Sequence, residues 1–124
     1  EAAKYMVPRG RGSILFTGAT ASMRGGSGYA AFASAKFALR GLAQSLAREL
    51  GPVGIHVAHL IIDAGVNTQF VRDRYRDRGI DPDELPENTL MNPKSVGKAY
   101  WYLHNQQRDA WTHELDLRPF AEKF

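Results

Sequence analysis

The eight residues YAAFASAK, positions 29 to 36, carry the side chains with the clearest chemical potential in this chain. Phe32 and Lys36 are four residues apart, and in a helix that spacing places both side chains on one face. Tyr29, seven residues before Lys36, lies near the same face. An ammonium group and a phenol can exchange protons with a bound molecule, whereas the phenyl ring of Phe32 cannot. The stretch predicts a site around Lys36 and leaves Phe32 either as a pocket wall or as a core aromatic.

The other polar residues give weaker signals for chemistry. The four histidines lack the spacing of a zinc site, and the chain has no cysteine that could complete one. Asp81, Asp83 and Glu84 lie close together, but the glycine and terminal glutamate of a calcium loop are missing. No serine stands in a Gly-x-Ser-x-Gly motif, and the mixed charges of residues 72–79, RDRYRDRG, are typical of an exposed helix. We therefore expect no metal, no serine hydrolase and no nucleic-acid partner.

The first half of the chain contains the elements that would position the site. Residues 13–17, SILFT, form a short apolar run typical of a parallel strand buried on both faces. Residues 20–28 are rich in glycine and predict a loop at the carboxyl end of that strand, where α/β folds carry their chemistry. Residues 30–50 predict a helix. Its apolar stripe recurs at spacings of three and four and consists of Phe32, Ala35, Leu39, Leu42 and Leu46.

The second half continues the same alternation of elements. Residues 55–62, IHVAHLII, predict another doubly buried strand, so the order strand, helix, strand fits one right-handed crossover. Residues 69–88 alternate in charge and then carry prolines and acidic groups, which marks a candidate lid loop. Residues 93–106 predict a helix capped by Asn92, and residues 114–119 a final strand. The expected fold is α/β, with three strands and flanking helices in a single partial domain over residues 1–124.

Composition excludes several classes of protein. A chain of 124 residues and 13.8 kDa suffices for one domain, and it has no apolar run long enough to cross a bilayer. The net charge is only +3, from 16 basic and 13 acidic residues that are mixed along the chain, which argues against nucleic acid. The absence of cysteine favours a cytoplasmic protein. Because Glu1 opens what reads as a helix in progress, we expect the chain to be a piece of something longer.

The order of these parts resembles the carboxyl-terminal half of a short-chain dehydrogenase/reductase, a nicotinamide-dependent family built on a Rossmann sheet. The likeness rests on residues 12–60, GSILFTGATASMRGGSGYAAFASAKFALRGLAQSLARELGPVGIHVAHL, which follow the family's strand, glycine-bearing loop, helix and strand. The resemblance implies three strands of a Rossmann-like doubly wound parallel sheet. It also implies a small-molecule substrate and, in the intact protein, NAD or NADP as cofactor.

The family resemblance assigns the residues of the site. In the family, a tyrosine and a lysine four residues apart face the nicotinamide, and the lysine binds the ribose and lowers the pKa of the phenol. A serine at the end of the preceding strand orients the substrate. Lys36 falls on the lysine position, but Phe32 falls on the tyrosine position and Ala19 on the serine position. The chain thus resembles a divergent subgroup with phenylalanine in place of the catalytic tyrosine.

The resemblance also implies cofactor contacts after the second strand. The family carries a Pro-Gly pair there, followed by a threonine that meets the nicotinamide amide, and Val66 and Thr68 fall in corresponding places. Asp63 and Ala64 stand where the Pro-Gly pair would be. The family's glycine-rich dinucleotide turn would precede Glu1, so we expect this chain alone to bind dinucleotide weakly or not at all.

Two functions remain open at this point. Tyr29, Ser22, a substrate group or water could supply the proton that Phe32 lacks, which would make the intact protein an atypical NAD(P)-dependent oxidoreductase. The alternative is a catalytically inactive cofactor-binding or association module, and Lys36 could then be an ordinary surface lysine. The helix over residues 30–50 packs against a second subunit in the family, so the resemblance also implies a homo-oligomer.

Overall fold

The computed structural model describes residues 1–122, in which three parallel strands form one sheet flanked by helices. The strands are β1 (Gly12–Thr17), β2 (Ile55–Ile62) and β3 (Glu114–Leu117), in the spatial order β1-β2-β3. The helices are α1 (Ala2–Met6), α2 (Ala30–Leu50), α3 (Gln69–Arg76) and α4 (Pro93–His104), with short 3₁₀ turns at Val7–Arg9, Thr20–Ser22 and Gly51–Val53. The predicted α/β fold with three parallel strands is confirmed.

The sheet is built around β2. All eight of its residues are buried, since it pairs with β1 on one side and with β3 on the other. The register runs from Gly12 opposite Ile55 to Thr17 opposite Leu60. The prediction that SILFT is buried on both faces was wrong: residues 13–17 are half-buried or exposed, because β1 pairs within the described chain with β2 alone. Within the described chain, β1 therefore presents an open edge.

Helix α2 has the predicted bounds, but its buried face differs from the predicted stripe. Ala33, Ala43 and Leu50 face the sheet, whereas Phe32 and Leu42 are 48% and 49% exposed. Small alanines on the inner face let the helix approach the sheet closely, which leaves the larger apolar side chains on the outer faces. Phe32 is therefore not a core aromatic.

Helix α4 packs against β2 through an apolar cluster. Helix α4 begins where Asn92 accepts a hydrogen bond from the backbone N–H of Lys94, with Pro93 in the first turn as predicted. Its Leu103 is fully buried in a cluster with Ala58, Leu60 and Ile62.

The candidate lid over residues 69–88 is only partly a loop, because α3 occupies its first eight residues. None of the helices in residues 1–122 has the length and apolar character that a membrane span requires.

An ion-pair network joins α2 to the sheet. Arg40 donates two hydrogen bonds to the Glu114 carboxylate, from Nε at 2.8 Å and from Nη2 at 2.6 Å. His59 Nδ1 lies 3.0 Å from the same carboxylate, and its ring is fully buried. The hydrogen bonds from Arg40 lower the pKa of the Glu114 carboxyl; partial burial opposes that shift, and His59 adds to it. The network fixes α2 one helical turn beyond Lys36.

Candidate active site at the carboxyl ends of β1 and β2

A cavity of about 420 Å³ opens at the carboxyl ends of β1 and β2. Ala19, Tyr29 and Phe32 all line it, together with Thr20 and Ile62. Arg24, Gly25 and Gly26 form one side of the opening. The structure thus brings together the positions that the family resemblance assigned to the serine, the tyrosine and the substitute phenol.

Lys36 lies one turn along α2 from Phe32 and points to the end of β1. Its Nζ donates a hydrogen bond to the Thr17 carbonyl oxygen at 2.8 Å and lies 5.7 Å from the centre of the Phe32 ring, within the range of a cation–π contact. The residue is half-buried, and its role as a ribose contact rather than an ordinary surface lysine stays a prediction. Lys36 therefore sets a positive charge beside the cavity.

Tyr29 and Ser22, the two proposed substitute donors, have different environments. Tyr29 is 45% exposed, and its hydroxyl oxygen accepts a hydrogen bond from Arg78 Nη2 at 3.3 Å. Its phenolic proton is thus still available to a molecule in the cavity. Ser22 is fully buried, and its hydroxyl accepts the backbone N–H of Ala19 at 3.1 Å. Ser22 supports the loop from inside and does not reach the cavity.

A polar pair at the cavity was not identified from the sequence. The Thr20 hydroxyl donates a hydrogen bond to the Asp63 carboxylate, whose side chain is buried and also lies 3.4 Å from Arg118 Nη2. Asp63 follows a fully buried strand, and a carboxylate at the carboxyl end of such a strand is the signal that could have found it. Thr20 is the residue directly after Ala19, so a hydroxyl is present one position from where the family serine would stand.

Val66 and Thr68 do not line the cavity. Val66 packs against the core cluster beneath α4, and its backbone bridges to Met91. Thr68 caps α3, because its hydroxyl accepts the backbone N–H of Val71 at 3.4 Å. Their assignment as cofactor contacts stays a prediction.

The site is cationic on its rim. Lys36, Arg24 and Arg78 surround Phe32 and Tyr29, whereas the nearby Asp63 carboxylate is engaged by Thr20 and Arg118. Within residues 1–122, no group of three or more His, Asp or Glu side chains is placed to hold a metal ion. The arrangement suits an anionic or carbonyl-bearing molecule near Phe32.

Comparison with known proteins identifies the fold's relatives. The family model for short chain dehydrogenase matches residues 1–79. The chain belongs to the short chain dehydrogenase family. Secoisolariciresinol dehydrogenase of Forsythia intermedia is 41% identical over 117 residues, which span 86% of this chain and 41% of that protein. A short-chain dehydrogenase from Rhodopseudomonas palustris is 46% identical, with a TM-score of 0.70 over 96% of this chain and 43% of the other.

A further solved structure shares the fold at lower sequence identity. The closed form of serine dehydrogenase complexed with NADP⁺ has a TM-score of 0.78 at 21% identity, over 96% of this chain and 48% of that one. This chain therefore spans about half the length of the proteins it matches.

Proposed function

We propose that this chain supplies the substrate-facing, carboxyl-terminal half of an atypical NAD(P)-dependent oxidoreductase of the short chain dehydrogenase family. The observation that supports the proposal is the convergence of Ala19, Phe32 and Tyr29 on one cavity, with Lys36 one turn away. Its substrate would be a small molecule with a carbonyl or a hydroxyl group beside Phe32. In this proposal the lid is the segment from α3 to residue 88, which reaches the cavity through Arg78.

The residues present fit a nicotinamide cofactor in part. Lys36 Nζ has three N–H donors and uses one of them on Thr17, so two remain for the ribose hydroxyls. A bound nicotinamide would supply the hydride, while the protein would place the substrate and move the proton. The described residues include no turn that would seat the pyrophosphate. NAD or NADP binding is therefore proposed for the chain joined to a dinucleotide-binding half.

Two hydroxyls in the cavity wall can replace the missing tyrosine and serine. Tyr29 keeps its phenolic proton, since its oxygen is the acceptor in the bond from Arg78, and that proton can pass to a substrate carbonyl oxygen. Thr20 gives its proton to Asp63, so in the oxidative direction its oxygen can accept the proton of a substrate hydroxyl as its own passes to the carboxylate. Tyr29 suits reduction, and the Thr20–Asp63 pair suits oxidation.

A specific observation favours a second candidate function. Phe32 and Ala19 carry no exchangeable proton, yet Lys36 keeps its place at the end of β1. This combination is what an inactive cofactor-binding module would retain. In that case the cavity binds a ligand without converting it, and the fold serves association.

The test joins this chain to the amino-terminal part of the Rhodopseudomonas palustris relative and measures NADPH and NADH binding together with carbonyl reduction. A Phe32→Tyr variant restores a phenol four residues before Lys36, and we expect it to raise kcat/KM about 100-fold, the lower end of what a positioned general acid contributes. Phe37→Tyr is the matched control, because Phe37 lies on the same helix, is 45% exposed and does not line the cavity.

The outcomes separate the two functions. Reduction without any substitution, lost in Tyr29→Phe, supports an enzyme with a substitute donor. Alcohol oxidation lost in Thr20→Val supports the Thr20–Asp63 route in the same way. Reduction gained only in Phe32→Tyr supports the inactive module. Failure of all variants to bind either dinucleotide would contradict both proposals.

A further inference from the structure

A second cavity lies at the amino-terminal ends of the strands, opposite the carboxyl ends that form the candidate active site. It has a volume of about 430 Å³ and is bounded by the first residues of β1 and β2, Gly12 and His56 among them. The strands are parallel, so this is their amino-terminal edge, whereas dinucleotides bind at the carboxyl ends in open α/β sheets. Its size falls within the range of about 300–1,000 Å³ that small-molecule sites occupy. This cavity shares no lining residue with the candidate active site.

The walls of this cavity are strongly basic. Arg9, Arg11 and Arg108 line it, and none of the described residues around it is acidic. In the part of the chain that the structure describes, no carboxylate lies within ion-pairing distance of these three guanidinium groups. Arginines on a solvated surface commonly have mixed-charge surroundings, as α3 has in this protein, where Arg72 pairs with Asp83. Arg9, Arg11 and Arg108 are exposed, but three guanidinium groups around one cavity with no carboxylate beside them favour an anionic ligand.

Backbone contacts hold two of the arginines in place. Arg108 Nη2 donates to the Gly10 carbonyl oxygen at 2.6 Å, which ties the segment after α4 to the segment before β1. Arg9 Nε donates to the Tyr5 carbonyl oxygen at 2.7 Å. Each bond uses one of the five N–H donors of a guanidinium group and leaves the others for a ligand. Arg11 has no partner among residues 1–122, so all of its donors remain.

Gly54 makes this close approach of chain segments possible. Its φ of +87° favours glycine, and a Cβ there would lie 2.3 Å from the Gly10 carbonyl oxygen and 3.4 Å from Arg108 Nη2. Any side chain at residue 54 would therefore displace the backbone that anchors Arg108.

The floor of the cavity adds aromatic and polar groups. His56 is 3% exposed and stacks on Trp111 with a centroid separation of 4.9 Å and an interplanar angle of 4°. Its Nε2 lies 2.8 Å from the Thr112 carbonyl oxygen, so Nε2 carries the hydrogen and Nδ1 has no partner within residues 1–122. Ser13 and His104 form a further polar pair in the wall, with Oγ and Nδ1 3.1 Å apart.

We propose that this cavity binds a phosphate-bearing small molecule, with the guanidinium groups of Arg9, Arg11 and Arg108 as its ligands. Guanidinium groups match phosphate oxygens geometrically and can bind them through paired hydrogen bonds. The site lies at the amino-terminal ends of the strands, whereas Phe32 and Lys36 lie near their carboxyl ends. The ligand would therefore be separate from substrate and cofactor. The inference does not depend on whether the candidate active site catalyses a reaction.

The probe for this proposal is inorganic pyrophosphate, titrated into the ¹⁵N-labelled chain while backbone amide shifts are followed. We expect the amides of Gly10, Gly12 and Gly54 to shift, and those of Gly25 and Gly26 at the other edge to stay unchanged. Arg11→Gln should weaken binding about tenfold, or about 1.4 kcal/mol. That substitution removes a side chain with no partner among the described residues, so the fold is expected to remain.

Arg74→Gln is the matched control. It removes the same charge from an exposed position on α3, where Arg74 contacts Phe70 and does not line the cavity. An affinity unchanged by Arg74→Gln and weakened by Arg11→Gln supports the site. Equal weakening in both variants would show attraction to net charge alone and overturn the proposal. An absence of shifts at the amino-terminal edge at millimolar pyrophosphate would overturn it as well.

Discussion

At the scale of residues, Phe32 and Ala19 set the chemistry of the candidate active site. Both are apolar, so the wall nearest Lys36 can shape a ligand but cannot exchange a proton with it. The available protons are on the hydroxyls of Tyr29 and Thr20, which also line the cavity. Tyr29 is hydrogen-bonded to Arg78, and Thr20 is hydrogen-bonded to Asp63. The charge of Lys36 lies beside the cavity, and the proton sources Tyr29 and Thr20 lie in its wall.

Gly18, which links β1 to Ala19, has no room for a side chain. It is buried, and a Cβ there would lie 2.3 Å from His59 Nε2 and 3.0 Å from the Leu60 carbonyl oxygen. We expect Gly18→Ala to lower the free energy of unfolding by about 2 kcal/mol, because neither the buried ring nor the strand backbone can move away without cost. Urea denaturation measures the change.

The control for that prediction is Gly97→Ala. Gly97 lies inside α4, and a Cβ added there would meet no neighbouring atom within 4 Å, so alanine should raise the free energy of unfolding by about 1 kcal/mol. If Gly18→Ala proved as harmless as Gly97→Ala, the contact between Gly18 and His59 would be looser than these distances indicate.

At the scale of elements, the sequence predicted those with a regular apolar pattern. The bounds of α2 and β2 follow from a helical period and from a β-branched run, and both are confirmed. The period did not reveal which face of α2 is buried, because alanines and Arg40 pack inward while Phe32 and Leu42 point outward. The mixed charges of residues 72–79 indicated an exposed helix, but the bounds of α3 inside the candidate lid were not predicted, since its sequence QFVRDRYR has few apolar residues to mark a buried face.

The candidate site was predictable to a similar extent. The cavity residues Ala19 and Phe32 follow from the family pattern and Tyr29 from its spacing to Lys36, and the three meet in space. The Thr20–Asp63 pair could not be read from spacing, because it joins positions 43 residues apart through the parallel pairing of β1 and β2. Tertiary hydrogen bonds of this kind depend on strand register, which a single sequence does not give.

The bond between α2 and β3 predicts a pH dependence of stability. Arg40 lowers the pKa of Glu114 below its ordinary value of 4.5 in the folded chain. A carboxyl with a lowered folded pKa stabilises the fold above the unfolded pKa, and that stabilisation is lost as the pH falls through the folded pKa. We expect Glu114→Gln to lower the free energy of unfolding by about 2 kcal/mol at pH 7, because Arg40 and His59 lose their shared partner.

The same variant should also change the pH profile. Below pH 4.5, the difference between Glu114→Gln and the unsubstituted chain should shrink, as urea denaturation over a pH series would show. Glu49→Gln removes an exposed carboxyl of α2 that has no partner within residues 1–122 and should leave both stability and profile unchanged. A constant difference between pH 3 and pH 7 would contradict the role given to Glu114.

At the scale of the whole molecule, the described chain leaves two kinds of surface uncovered. One is the backbone edge of β1, which pairs only with β2. The other is the outer face of α2, where Leu42 is 49% exposed among small residues, namely Ala31, Ala35, Ala38 and Ser45. Open strand edges and apolar helix faces favour association, and small side chains let two helices approach closely.

We therefore propose that α2 packs against α2 of a second copy of this chain. Leu42→Glu would place a charge at the centre of that contact and should convert a dimer into a monomer, as size-exclusion chromatography with light scattering would detect. Phe70→Glu is the control, because Phe70 is 69% exposed on α3, away from the proposed contact, and its substitution should leave the dimer intact. An unsubstituted chain that elutes as a monomer at high concentration would contradict the proposal, and a dimer that survives Leu42→Glu would move the contact to the edge of β1.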